Sequence, residues 1–297
     1  METTWIHGIE CVRISNGRIC VTATRSCGPR ILQLNLTGGE NLFADLPQDS
    51  TEIPGRGVFR LYGGHRLWHS PEVFPRTYLP DNDPVEITEV PDGLQIIQPQ
   101  EPETGIVKSI SIYLPPGKDQ VIVDHYLENR SIWPVELAAW AITMLKIGGT
   151  AVMPIASDLA DPDGLQPNRL LVLWPYTNLS HPCLKLGKQS LRLTAKIPEG
   201  AIKLGTANPE GWLAYLNQDT LFIKRSTFIK GESYLDIGCS HEIYANRDFI
   251  ELETLSPRTL LAPGNRLVHR ETWEVYPNTL LLDEEEAMLA EIRTRLF

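Results

Sequence analysis

The 297-residue chain has no apolar run near the ~18 residues that a membrane-spanning helix needs. It also has no block of lysine and arginine. Its 27 basic and 37 acidic residues leave a formal net charge of −10, which repels phosphate and anionic lipid and argues against nucleic-acid and membrane-surface partners. The five cysteines, Cys11, Cys20, Cys27, Cys183 and Cys239, form no Cys-x-x-Cys pair, so neither a zinc ribbon nor a thioredoxin-like site is expected. G-x-S-x-G, G-x-x-x-x-G-K-[ST] and G-x-G-x-x-G are all missing. This excludes a serine-hydrolase elbow, a P-loop and a dinucleotide fingerprint. Met1–His7 contains no basic region followed by an apolar core, so no secretory signal is expected there. With an odd number of widely spaced cysteines, this predicts reduced thiols and a cytoplasmic location. No cofactor is implied.

What is present reads as strands nearly throughout. Short apolar-rich runs at 17–24 and 30–36 are bounded by Asn16-Gly17, Gly28-Pro29 and Gly38-Gly39. In 106–113 the isoleucines fall at even positions and the serines at odd ones, close to the period of two of a strand with one buried face. Val107 and Lys108 interrupt the pattern. Further strands are expected at 120–127, 135–147, 170–174, 190–197, 212–216, 220–228, 240–255 (with a break) and 266–276. Many strands separated by Pro/Gly turns predict an all-β sandwich or barrel in one domain. One short helix is expected at the C-terminal end, capped by Asp283, with Glu284, Glu285 and Glu286 in its first turn. Met288, Leu289, Ile292 and Leu296 would form its apolar face, laid against a sheet edge. The stretch 47–91, with seven prolines and five aromatics, reads as a long functional loop.

That stretch holds the densest polar cluster, Tyr62-Gly63-Gly64-His65-Arg66-Leu67-Trp68-His69-Ser70-Pro71-Glu72. Two glycines permit backbone geometry closed to other residues. His65 and His69 can exchange protons near neutral pH. Arg66 is a multi-donor fork, Trp68 a flat stacking face and Glu72 a base or acceptor. The bland alternative is a structured loop with Arg66 paired to Glu72 and Trp68 in the core. The spacing of His65, His69 and Glu72 lacks the helix and the adjacent Glu of a metalloprotease motif, so no metal site is expected. A second cluster runs from Tyr234 through Asp236, His241 and Glu242 to Tyr244, and is followed by Phe249–Pro257. On a strand, Glu251 and Glu253 project from one face, where mutual repulsion raises the pKa of one of them. Lys224, Arg225 and Lys230 are placed to neutralise them, either as a structural salt-bridge network or as a substrate grip.

Arg30-Ile31-Leu32, Gly63–Trp68 with Pro71-Glu72, and Glu251-Leu252-Glu253 resemble the galactose mutarotase-like superfamily. Leu261-Ala262-Pro263-Gly264 and Glu271-Thr272-Trp273 follow in the same register. Its uncharacterised bacterial branch is more similar than the true aldose 1-epimerases, and the resemblance covers most of the chain. It implies a β-supersandwich of antiparallel strands with a sugar site on a concave face, and a small-molecule sugar as partner. It also implies that Glu253, with Glu251 as the alternative, takes the proton from the anomeric hydroxyl, and that His65 and Arg66 touch substrate. The family's mid-chain Asn-His-x-x-Phe-Asn-like stretch, which supplies the acid, is not matched here. The corresponding region is His125–Asn129 through Ala139–Thr143, with Trp140 or Thr143 at the equivalent place. The acid then comes from His65, His69 or His241, or the chain binds sugar without epimerising it. Arg66, Glu72 and Asp236 are the expected hydroxyl contacts, Trp68 or Trp140 the stacking platform, and His69, Lys224, Glu242 and Glu251 further binding candidates.

Overall fold

The computed structural model describes residues 1–156, 162–280 and 282–296. Among these, two large antiparallel sheets lie face to face. The first runs, edge to edge, through Glu2–Ile6, Ile9–Ser15, Ile19–Thr24, Arg30–Leu36, His65–Ser70, Val135–Lys146, Phe249–Leu255, His241–Ala245, Ile202–Thr206 and Val172–Leu173. Thr259–Leu261 pairs with the start of Val135–Lys146. The second runs through Leu184–Leu186, Ser190–Thr194, Thr150–Pro154, Trp212–Asn217, Thr220–Ser226, Arg266–Tyr276, Gln120–Asn129, Ile106–Tyr113, Gly93–Ile97 and Glu86–Val90. This is the all-β sandwich that the turn-punctuated strands predict.

The core lies between the sheets and is built by alternation. Ile31, Leu67, Ala139, Leu252 and Ile243 from the first sheet meet Ile110, Val123, Phe222 and Trp273 from the second. The isoleucines of Ile106–Tyr113 all enter this layer. Lys108, at the same parity, is buried because its ammonium lies 2.5 Å from Glu101 Oε1. An ion pair therefore accounts for the break in the alternation.

Two expectations change. The stretch 47–91 is not one long loop. It contributes a hairpin, Asp45–Ile53 with Gly57–Gly63, then the sheet strand His65–Ser70 and the edge strand Glu86–Val90. The hairpin pairs only with itself, and its first strand is mostly exposed, so it carries no alternating pattern to read. Pro47 sits where its register is irregular, a position that tolerates a missing N–H. The hairpin leans on the outer face of the first sheet, where Leu46, Leu61 and Trp68 join Trp140, Ile142 and Met144 in a second apolar cluster.

The C-terminal helix spans Glu285–Arg293, and its cap is Glu284 rather than Asp283. The Glu284 carboxylate accepts from the Glu286 and Ala287 amides at 3.1 and 2.7 Å. Met288, Leu289, Ile292 and Leu296 do form its apolar face, but they pack on the outer face of the second sheet, against Trp212, Ala214 and Ile223, and not on an edge. No helix among the described residues is long and apolar enough to cross a membrane.

Candidate functional site

The first sheet carries two chemically distinct faces, and strand parity assigns every candidate residue to one of them. On His65–Ser70, Leu67 faces the core, so His65 and His69 do as well, while Arg66 and Trp68 face outward. Gly63 and Gly64 set this phase. Both have positive φ, and a Cβ at either would lie about 2 Å from a backbone carbonyl oxygen, of Ala44 or of Ile31. On Phe249–Leu255, Leu252 and Thr254 face inward, and Glu251 and Glu253 outward. Across the ladder Glu253 stands opposite both Glu242 and Ile142, and Tyr244 stands opposite Glu251. The two glutamates do share a face, as the alternation predicts.

The outer face meets a cavity of about 540 Å³, within the ~300–1,000 Å³ range of small-molecule sites. Trp140, Trp174, Phe74 and Tyr78 supply its aromatic surface; Lys203, Glu72 and Asp236 supply its charge. Lys203 is nearly buried, and its Nζ is 4.7 Å from the ring centroids of both Trp140 and Trp174. It lies 2.8 Å from Glu253 Oε2 and 2.9 Å from Glu242 Oε2. Trp140 Nε1 donates to Glu253 Oε2 at 2.6 Å. Glu253 Oε1 and Glu242 Oε1 have no hydrogen-bond partner. Gly205, opposite Glu242, leaves room for this arrangement, since a Cβ there would fall 2.5 Å from Cys239 Sγ and 3.1 Å from Glu242 Cγ.

Burial opposes the Lys203 ammonium, but Glu242 and Glu253 overcome it and hold its pKa well above the ordinary lysine value. Burial and the charge of Glu253 push Glu242 well above the carboxylate range, beside the Lys203–Glu253 ion pair. Burial and Glu253 likewise raise Glu251, to about 8. At the cavity wall, Tyr78 donates its hydroxyl to Glu72. Ser70 Oγ donates to Asp236 Oδ2 at 3.3 Å, and burial raises the Asp236 carboxyl. Asp236 and Ile237 both have positive φ, the latter an outlier for a β-branched residue.

The inner face is a closed polar network that ties one sheet to the other. Lys224, on the second sheet, donates to the carbonyls of Ala141 and Leu252 at 2.9 Å each and to Thr143 Oγ1 at 3.0 Å. It also stands 3.0 Å from Glu271 Oε1. His125 Nδ1 donates to the His269 carbonyl at 3.0 Å, leaving its Nε2 to accept from His65 Nε2 at 2.7 Å. His65 Nδ1 then accepts from the Thr143 hydroxyl at 2.9 Å. His241 bridges Ser226 and Ser240. Burial holds these histidines neutral: it lowers His65 well below its ordinary value, and His241 and His269 to about 3. His65, His125 and Glu271 bring ligand atoms within 4.8 Å of one another. However, Lys224, Thr254 and Trp273 already hold the Glu271 carboxylate, and the two imidazoles hold each other. The cluster is complete as a hydrogen-bond network.

These placements revise the expected roles. His65 and His241 cannot serve a ligand that meets Glu253, because the sheet itself lies between them. His69 is buried on the same inner face, 3.4 Å from Glu101. Lys224 answers Glu271 and not Glu251 or Glu253. Arg66 is buried under the hairpin, between the rings of Phe59 and Trp68, and donates to the Leu61 carbonyl. It makes no ion pair with Glu72, and burial lowers it to about 9. Trp68 backs Trp140 edge-on at 5.2 Å without lining the cavity. Glu72, Trp140 and Asp236 do line it, with Glu242 and Glu253 directly behind Lys203. Lys203, Trp174 and Tyr78 were not among the expected residues. The signal for Lys203 is a single charge between Ile202 and Leu204, the alternation of a strand with one apolar face.

No family profile and no curated protein matches the chain by sequence. Solved structures do match by shape. A candidate aldose 1-epimerase from Klebsiella pneumoniae is 12% identical, with 97% of this chain and 83% of that one covered and a TM-score of 0.63. A galactose mutarotase-like protein from Lactobacillus casei is 13% identical, with 90% and 100% covered and a TM-score of 0.54. A candidate aldose 1-epimerase from Escherichia coli is 12% identical, with 90% and 99% covered and a TM-score of 0.55. This chain shares the fold of these galactose mutarotase-like structures. Within this fold, the outer face of the first sheet presents a lysine clamped by two carboxyl groups under tryptophan rings, and among the described residues no histidine lines the cavity.

Proposed function

We propose that the protein binds a monosaccharide in the cavity over Lys203. The observation that carries this reading is the combination of a flat aromatic surface, Trp140 with Trp174, and hydrogen-bonding groups of both signs in one concave space of sugar-compatible size. The Lys203 ammonium, Glu72, Asp236 and the Tyr78 hydroxyl are the groups that meet sugar hydroxyls. The neighbouring folds and the resemblance to the galactose mutarotase-like superfamily agree with this ligand class.

One observation favours a second reading, interconversion of anomers. Burial raises the Glu242 carboxyl well above the carboxylate range, and Glu253 pairs with the same lysine at 2.8 Å; general acid–base catalysis of ring opening needs a proton donor and a proton acceptor side by side. In that reading Glu253 takes the anomeric proton and Glu242, relayed by Lys203, protonates the ring oxygen.

Both readings are tested by titrating glucose and galactose while following tryptophan fluorescence and measuring anomeric exchange by proton NMR. Saturable quenching that Trp174→Ala removes is the expected result. Exchange at the uncatalysed rate would leave a binding protein. Acceleration lost in both Glu242→Gln and Glu253→Gln, by about 10²–10⁴-fold, would establish the enzyme. No quenching and no exchange with any hexose would refute both readings.

A further inference from the structure

The charges around the cavity do not balance. Among the described residues Lys203 is the only cation that lines it, and Glu253 at 2.8 Å with Glu242 at 2.9 Å already answer its charge from behind. Glu72 and Asp236 also line it, and among the described residues no cation comes within ion-pair distance of either. Their partners are the neutral hydroxyls of Tyr78 and Ser70. The two carboxyls are close enough to feel each other's charge. The rings of Phe74 and Tyr78 stand on the same side, 6.0 Å apart. Such a wall, two acids without an ion-pair partner beside aromatic rings, is complementary to a positive charge. Behind it, two fully buried carboxyls, Glu242 and Glu253, keep oxygens without a hydrogen-bond partner. An anionic sugar would meet the opposite: among the described residues no uncommitted cation lines the cavity, and the free donors of Arg66 lie under the hairpin.

We propose that the sugar this cavity takes is an amino sugar with a free ammonium group, which docks between Glu72 and Asp236 while its ring lies against the tryptophans. This rests on the sugar-binding reading and narrows it to a cationic class. Charge-assisted contacts to half-exposed carboxyls raise affinity by about tenfold at low salt, and screening removes most of that advantage.

The test compares glucosamine, glucose, N-acetylglucosamine and glucose 6-phosphate at neutral pH, by tryptophan fluorescence and calorimetry on the full chain, at low and high salt. Glucosamine should bind about tenfold more tightly than glucose, and acetylation of the amine should abolish the difference. Glu72→Gln and Asp236→Asn should each lower glucosamine affinity severalfold more than they lower glucose affinity, with thermal unfolding checked for both. Equal binding of glucosamine and glucose, or tightest binding of glucose 6-phosphate, would overturn the amino-sugar assignment and leave the sugar site standing. If none of the four binds, the sugar site itself fails and this inference with it. A preference unchanged in both variants would also overturn it.

Discussion

The two faces of the first sheet use the same residue types to opposite ends. Inside, Lys224 and Glu271 are fully buried, flanked by His65, His125, His241 and His269, and each of these six side chains reaches a partner on the facing sheet or on the main chain. Outside, Lys203 with Glu242 and Glu253 is just as deeply placed, but carboxylate oxygens are left over and the ammonium borders an open cavity. A satisfied buried network fixes a structure; a partly satisfied one beside a cavity is poised to accept a ligand. The lesson is that burial and ion pairing alone do not separate scaffold from site. The unspent hydrogen-bonding capacity does.

The largest expected effect separates the faces by pH. The unfolded chain's histidines take protons below about 6.5, whereas folded His241 and His269 resist protonation until about 3. Stability should therefore fall as pH drops from about 6.5 towards 3, by up to about 1.4 kcal/mol per pH unit per histidine. The outer face works in the other direction. Glu251, held at about 8, keeps its proton in the fold when the unfolded carboxyl has lost it above about 4.5. Its contribution is full below that value and is lost as pH rises through 8. Urea midpoints across pH 3–9 should show both limbs, and a flat acid limb would contradict the neutral histidine network.

Next in size is Lys224→Met, which leaves Glu271 buried without its cation and should cost about 3–5 kcal/mol in denaturant unfolding. Lys203→Met should cost less, about 1–3 kcal/mol, because the carboxyls it frees adjoin a cavity and burial already favours the neutral form of Glu242. It should nevertheless weaken sugar binding more than any inner-face change that still folds. If the two lysine variants lose equal stability, the distinction between the faces is wrong. The smallest effect is expected for Trp140→Phe. It keeps a ring but removes the Nε1 donor to Glu253, and should cost about 1–2 kcal/mol with a measurable loss of sugar affinity.

Much of the fold was legible because alternation survives wherever one face is apolar. Alternation marks the strand at 106–113 and the shared face of Glu251 and Glu253, a Pro-Pro-Gly turn marks the start of 120–127, and a continuous apolar run marks 135–147. The candidate site was legible only in pieces. Glu72, Trp140 and Asp236 come from three distant segments, and nothing local shows that they converge. The histidines misled for a physical reason. His65 and Arg66 are adjacent, and a strand sends adjacent side chains to opposite faces, so a motif read as one cluster is split by the sheet. Strand Ile202–Thr206 is short and carries its one charge in an apolar setting, so Lys203 stayed hidden until Glu242 and Glu253 appeared beside it.

The hairpin Asp45–Ile53 with Gly57–Gly63 supplies Thr51 and Ile53 to the cavity wall, yet its strands pair with no others. The specificity of the pocket and the integrity of the sandwich are thereby separable properties. Substitutions along 48–53 can reshape the entrance without shifting the register of either large sheet, which makes this segment the natural place for ligand preference to diverge, or to be redesigned, on an unchanged frame.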